Sequence, residues 1–71
     1  MQKILILETY RRELNSVAFA SWQDNQQLPT IPPIYQTPMH AINDGWRLLS
    51  PPFFKYTDSS QLEWWFEKYN E

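Results

Sequence analysis

Hydrophobic positions along the chain fall into short runs, and most of these runs predict strands. Residues 3–9 are aliphatic on both faces, which is typical of a central strand covered on both sides. Residues 61–69 alternate with a period of two, which predicts a last strand. One face of that strand carries Leu62, Trp64 and Phe66, and the other carries Glu63, Trp65, Glu67 and Tyr69.

The segment after the first strand fits two patterns. Residues 16–22 alternate bulky and small side chains, which predicts a second strand entered through a hairpin turn at 14–16. A helical stripe is the alternative, formed by Leu14, Val17, Ala18, Ser21 and Trp22. We favour the strand, and the choice decides how much of the sheet is covered.

Residues 24–38 contain four prolines, which remove amide donors and favour extended backbone, so we expect a Pro-rich loop and no regular element. The loop ends in a helix start, with Thr37 as N-cap and Pro38 in the first turn. Gly45 follows as a C-terminal stop. This spacing predicts a helix of about two turns.

The rest of the chain predicts further strands. Residues 46–50 form one that Pro51 and Pro52 stop, residues 53–56 continue it or form an edge, and residues 57–60 form a polar turn. The sum is a β-β-α-β-β order, an α+β fold with one short helix on a mostly antiparallel sheet. At 71 residues we expect a single domain spanning 1–71.

A helix that leads into Gly45-Trp46-Arg47-Leu48 and a final aromatic hairpin resembles a group of small bacterial domains of unknown function. The resemblance covers residues 37–69 together with the opening strand. It does not extend to the Pro-rich loop or to residues 14–23. What it implies is an α+β fold, and it implies no activity.

Composition narrows the chemistry. The chain has no cysteine, one glycine and one histidine, which argues against a disulfide framework, a thiolate metal site and a phosphate-binding glycine loop, so we expect no cofactor. A net charge of −2 argues against binding of duplex nucleic acid, which requires a basic surface. The longest apolar run is four residues and no secretory signal is evident, so we expect no membrane partner and a cytoplasmic location.

Candidate catalytic groups are sparse. His40 and Asp44 share a helical face, but two ligands make no zinc site, and a solvated pair is the simpler interpretation. Glu63 and Glu67 would lie about 13 Å apart on one strand, beyond the carboxylate separations of glycosidases. No serine lies in a nucleophile elbow. We therefore assign no catalytic or metal residue and expect no enzyme.

The adjacent pair Trp64-Trp65 is the strongest binding signal, because neighbouring strand residues face opposite ways. If Trp64 packs inward, Trp65 and Tyr69 point outward. With Glu63, Glu67 and Lys68 beside them, they have the composition of an interaction hot spot with a polar rim. This predicts a non-enzymatic module that binds a protein partner or itself. Alternatively the Pro-rich loop covers this face with Ile31, Ile34 and Tyr35.

Two other hypotheses use the same rings. A small apolar or aromatic ligand could lie between the sheet and the Pro-rich loop. A platform for single-stranded nucleic acid could combine residues 10–12, 54–56 and 65–69, where aromatic and cationic side chains alternate. Glu63, Glu67 and Glu71 would repel phosphates there, so nucleic acid is the least favoured partner.

Overall fold

A computed structural model describes residues 2–29, 33–55 and 60–69 of the chain. Their regular elements are β1 Gln2–Thr9, β2 Ala20–Gln23, β3 Gln26–Gln27, α1 Pro38–Asn43, β4 Arg47–Leu48, β5 Phe53–Phe54 and β6 Leu62–Tyr69. The strands form one antiparallel sheet in the order β3-β2-β1-β6-β4, with β5 also paired to β6. An antiparallel sheet with one short helix is thus confirmed, whereas the four-strand order was too simple.

The first and last strands form the centre of the sheet. They pair along their whole length, from Gln2 opposite Tyr69 to Thr9 opposite Leu62. The predicted alternation in β6 is confirmed, because Leu62, Trp64 and Phe66 are fully buried on one side of the sheet, here called the inner face. We call the opposite side the outer face.

A single hydrophobic core covers the inner face. It consists of Leu5, Leu7, Tyr35, Ala41, Trp46, Trp64 and Phe66. The indole N–H groups inside it are satisfied, since Trp64 Nε1 donates to Thr9 Oγ1 at 2.8 Å and Trp46 Nε1 donates to the Tyr35 hydroxyl at 2.7 Å. Burial of such rings without a partner would cost free energy. The core therefore combines apolar contact with two specific hydrogen bonds.

The expectation that the first strand is covered on both sides was wrong. Leu5 and Leu7 on the inner face have no exposed surface, but Ile4 and Ile6 on the outer face stay half-buried. The cause is that helix α1 and the segment around Tyr35 both pack on the inner face.

Helix α1 begins and ends where the sequence predicts. The Thr37 side chain accepts a hydrogen bond from His40 N at 3.1 Å, and Pro38 lies in the first turn. Asp44 is the C-cap, and Gly45 follows with φ +95°, a conformation that favours glycine. Within the described ranges no helix has the length and apolar character needed to cross a membrane.

The predicted turn at 14–16 and strand at 16–22 are confirmed only in part, because a turn lies at 14–15 but residues 16–19 form no strand; the alternative helix is wrong. Strand β2 starts only at Ala20, and a ten-residue loop connects it to β1. The backbone of this loop bonds to other segments, because Ala18 N donates to Gln36 O at 2.8 Å and Met39 N donates to Leu14 O at 2.9 Å. These long-range bonds replace the local ones of a strand or helix.

The Pro-rich segment 24–38 was predicted to lack regular structure, and its first residues contradict this. Asp24 and Asn25 have φ values of 51° and 70°, as required in a type I′ turn, and Gln26–Gln27 returns as β3 beside β2. Asp24 Oδ1 also accepts a hydrogen bond from Ile4 N at 3.0 Å, which fixes the hairpin to β1. The sequence feature that predicts this turn is the Asp24-Asn25 pair, because both residue types tolerate left-handed backbone.

The predicted strand at 46–50 shortens to β4, with Leu49 N donating to Trp65 O at 2.8 Å. Pro51 and Pro52 interrupt it, and β5 then pairs with the other end of β6 as an edge. The polar turn predicted at 57–60 lies outside the described residues except for Ser60.

The turn between β2 and β3 yields a stability prediction. Asn25→Ala should lower the free energy of unfolding by about 1 kcal/mol, because Ala lacks the side chain that eases left-handed backbone. Asn25→Gly should match or exceed the original protein. Urea denaturation followed by circular dichroism measures both variants, and equal midpoints for the Ala and Gly variants would contradict the turn assignment.

Candidate functional site

The outer face carries an aromatic and aliphatic stripe across three strands. Strand register places Trp22, Ile6 and Trp65 in one row, from β2 through β1 to β6. Phe53 on β5 extends it, with its ring centroid 6.4 Å from that of Trp65. Trp22, Ile6 and Trp65 are half-buried, and Phe53 is exposed. The described helix contributes no cover here, because it lies on the inner face.

A shallow cavity of about 250 Å³ opens on this stripe. Its lining residues are Ile4, Ile6, Asp24, Asn25 and Trp65. The indole of Trp65 is held in place because its Nε1 donates to Glu63 Oε1 at 3.0 Å. The cavity therefore joins an apolar floor and an oriented indole to the polar turn between β2 and β3.

Two carboxylates of the outer face are buried and paired with cations. Glu8 accepts a hydrogen bond from Lys55 Nζ at 2.7 Å, and Glu67 accepts one from Arg47 and another from Gln2 Nε2 at 3.2 Å. The hydrogen bond to Glu67 raises the pKa of Arg47, so the guanidinium keeps its positive charge at neutral pH. Breaking either pair would leave a buried charge uncompensated.

Asp24 and Glu63 differ from these paired carboxylates. Neither forms an ion pair with a cation in the described part of the chain. Asp24 is exposed and lines the cavity, while Glu63 is half-buried beside Trp65. The cavity consequently has a negative border.

The structure brings together only some of the five predicted binding residues. Trp65 and Glu63 adjoin the cavity, and Tyr69 is exposed at the far end of the outer face. Glu67 is buried by its own partners. Lys68 lies on the inner side, where its Nζ donates to Asp44 O at 2.8 Å and sits 5.5 Å from the centroid of the Trp46 ring.

The Pro-rich loop does not cover the outer face with Tyr35, as the alternative required. Tyr35 is a core residue of the inner face, and Ile34 is 48% exposed. Ile31 lies outside the described residues. Trp65 lies on the outer face, as predicted, and its indole is half-buried.

Sequence reasoning missed Ile4, Ile6, Trp22, Asp24 and Phe53 as members of this face. The alternation of side chains in a strand at residues 3–9 could have predicted that Ile4 and Ile6 lie on the same face. Nothing local indicates that Trp22 lies in the row of Trp65, because that depends on the register of both neighbours of β1.

A second polar cluster fastens the helix end to the core. The Tyr35 hydroxyl donates to Asp44 Oδ2, and Lys68 Nζ lies 3.9 Å from the same carboxylate. The Tyr35 hydrogen bond holds the pKa of Asp44 below its usual range, and Lys68 acts in the same direction. Burial raises the pKa of Tyr35. The role of this cluster is structural, because it connects core rings to a helix cap.

His40 does not pair with Asp44 through a hydrogen bond. Its Nδ1 accepts from Gln36 N at 3.3 Å, and its ring packs edge-on against Tyr35. Among residues 2–29, 33–55 and 60–69 no group of three His, Cys, Asp or Glu side chains is placed to hold a metal ion.

Comparison of the chain with protein-family models, curated proteins and solved structures finds no match. The resemblance to small bacterial domains therefore stays a prediction.

The Asp44 contacts predict a pH dependence. Because the pKa of Asp44 is lower in the folded protein than in the unfolded chain, its carboxylate stabilises the fold above about pH 4. This stabilisation should disappear as the pH falls through the folded pKa. Urea midpoints of the original protein and Asp44→Asn should therefore differ at pH 7 and converge in acid.

An NMR titration provides the control for this prediction. Tyr35→Phe removes the donor to Asp44, so the pKa of Asp44 should rise toward that of an unperturbed carboxyl. An Asp44 titration curve that is the same with and without the Tyr35 hydroxyl would contradict the assigned cause.

Proposed function

We propose that this chain is a non-enzymatic protein-interaction module whose outer face holds a segment of a partner protein. The partner segment presents one large apolar side chain next to Lys or Arg. The observation that carries the proposal is the cavity between Ile4, Ile6 and Trp65, with Asp24 on its border.

Size supports a single anchoring side chain as the occupant. Cavities for drug-sized ligands measure about 300–1,000 Å³ and enclose most of the ligand. The outer-face cavity is about 250 Å³ and lies open on a sheet surface. One aromatic or aliphatic anchor fits such a depression, and the surrounding Trp22 and Phe53 supply further contact area. Aromatic anchors of this kind dominate protein-protein binding energy.

Charge favours a different protein over a second copy of this chain. Glu8 and Glu67 are neutralised within the fold, so the free charge near the cavity comes from Asp24 and Glu63. Two such faces brought together would oppose like charges, whereas Lys or Arg of a partner would complement them. We therefore infer that the partner is a different protein and that its bound segment is basic.

Selection from a displayed random peptide library tests the proposed chemistry. We expect enriched peptides to combine an aromatic or large aliphatic residue with neighbouring Lys or Arg. Trp65→Ala should weaken the best synthetic peptide about 30-fold, the effect of losing a hot-spot residue worth ~2 kcal/mol. Isothermal titration calorimetry measures the affinity, and circular dichroism verifies that the variant is folded.

Met39→Ala is the matched control, because Met39 is an exposed apolar residue on helix α1. Its affinity for the same peptide should equal that of the original protein. Enrichment of acidic peptides, or equal losses in Met39→Ala and Trp65→Ala, would contradict the proposal. A dimer of the original protein in light scattering that Trp65→Ala converts to a monomer would also contradict the proposal.

The charge on the cavity border has its own test. Asp24→Asn keeps an oxygen acceptor for Ile4 N and tolerates left-handed backbone, but it removes the carboxylate charge. We expect peptide association to slow and to depend less on salt, with little change in stability. Stopped-flow measurements at low and high salt would show this, and an unchanged salt dependence would exclude Asp24 from the contact.

A further inference from the structure

The loop of residues 10–19 is an ordered structure that the interaction face does not use. It leaves the sheet after Thr9 and returns at Ala20. Phe19 N donates a hydrogen bond to Glu8 O at 2.9 Å, which joins the two ends of the loop. Inside the loop, Ser16 N donates to Glu13 O at 3.0 Å. Compact surface loops whose ends lie close together are frequently functional. The backbone of this loop is held by these hydrogen bonds.

The loop borders an open cavity of about 340 Å³, larger than the cavity on the outer face. Its lining residues are Tyr10, Arg11, Asn15, Ser16 and Val17. They supply an aromatic ring, a guanidinium, an amide and an exposed aliphatic group. The volume lies within the range of small-molecule sites.

Tyr10 offers a stacking surface in this cavity. Its ring stacks on Phe19 with centroids 4.5 Å apart and an interplanar angle of 24°. Although Phe19 covers one side, Tyr10 is still 57% exposed, so the opposite side of the ring faces solvent. A planar ring of a ligand can continue the stack there.

Two consecutive arginines give this end of the molecule a local positive charge. Arg11 and Arg12 are exposed, and neither forms an ion pair with a described residue. The Arg12 guanidinium carbon lies 5.2 Å from the centroid of the Phe54 ring. Glu13 opposes them, with its Oε2 at 3.5 Å from Ser16 Oγ. Arg11 lines the cavity and Arg12 follows it in the loop, so the loop carries two cations against one carboxylate, which favours an anion.

We propose that the loop cavity binds the base-and-phosphate unit of a nucleotide. The base stacks on the open side of Tyr10, the Asn15 amide bonds to its edge, and Arg11 contacts the phosphate. An amide both donates and accepts, as base edges do. The unit comes either from a free mononucleotide or from an unpaired strand, because a base inside a duplex cannot reach Tyr10.

The structure unites two of the three segments that the sequence suggested for nucleic acid. Arg12 and Phe54 meet across the sheet end, whereas Lys68 and Tyr69 lie at the opposite end of β6, where Tyr69 faces Gln2. The proposed site is therefore a small cradle in the loop and not a platform along the sheet face.

The experiment titrates the full chain with adenosine monophosphate and, separately, with a single-stranded oligoadenylate, followed by amide chemical shifts. We expect binding at low salt that moves the signals of residues 10–17. For the strand, the logarithm of the affinity should fall with that of salt by about 0.7 per contacted phosphate. Binding by the strand alone, or tighter binding by the strand, identifies an unpaired strand as the ligand. Equal binding by both probes, or binding by the monophosphate alone, identifies a free mononucleotide. Binding by neither overturns the proposal.

Variants separate this site from a general charge effect. Tyr10→Leu should weaken binding at least about fivefold, whereas Tyr10→Phe retains the ring and should retain affinity. Arg11→Gln should reduce the salt slope, and Glu13→Gln should strengthen binding because it removes the opposing carboxylate. These opposite signs cannot arise from loss of folding.

Lys3→Gln is the charge-matched control, because Lys3 lies at the other end of β1. Equal losses in Lys3→Gln and Arg11→Gln would show non-specific attraction and overturn the proposal. Trp65→Ala should leave nucleotide binding intact, so failure of the interaction face and failure of this site are distinguishable.

Discussion

The pairing of β1 with β6 is the interaction on which the rest of the fold depends. It joins residues from opposite ends of the chain, and closing a loop of about 50 residues between them costs ~3–4 kcal/mol of entropy. Eight residue pairs in register and burial of Leu5, Leu7, Trp64 and Phe66 offset this cost. Strand β2 attaches to β1, both β4 and β5 attach to β6, and β3 attaches in turn to β2.

This dependence explains which parts of the fold were predictable. The helix at Thr37 and the inward orientation of Trp64 follow from signals within a few residues, a cap with proline and a period of two. The loop of residues 10–19 follows from contacts with Gln36 and Met39 that no local pattern encodes. The β2–β3 turn lies between these cases, because its Asp-Asn signal is local but was outweighed by the prolines that follow.

The candidate site was predictable to the extent that strand parity defines it. Parity puts Trp65 and Glu63 on one face, and it equally puts Lys68 with Trp64 on the other, where the structure has it. Parity gives no information about neighbouring strands, so Trp22 could not be assigned to the same row. Nor does it reveal that Arg47 neutralises Glu67, which depends on pairing between β4 and β6.

In the described ranges a sheet of six strands carries one six-residue helix, and this helix covers one of the two faces. Among the described residues, the Pro-rich segment adds Tyr35 to that same face, and long side chains of the outer face shield it themselves. Arg47 and Lys55 do this at its margins through Glu67 and Glu8, which leaves Ile6 and Trp65 half-buried between them. Glu8 and Glu67 already have cationic partners, so docking of a complementary surface need not separate them, and the charge left for a partner is that of Asp24 and Glu63.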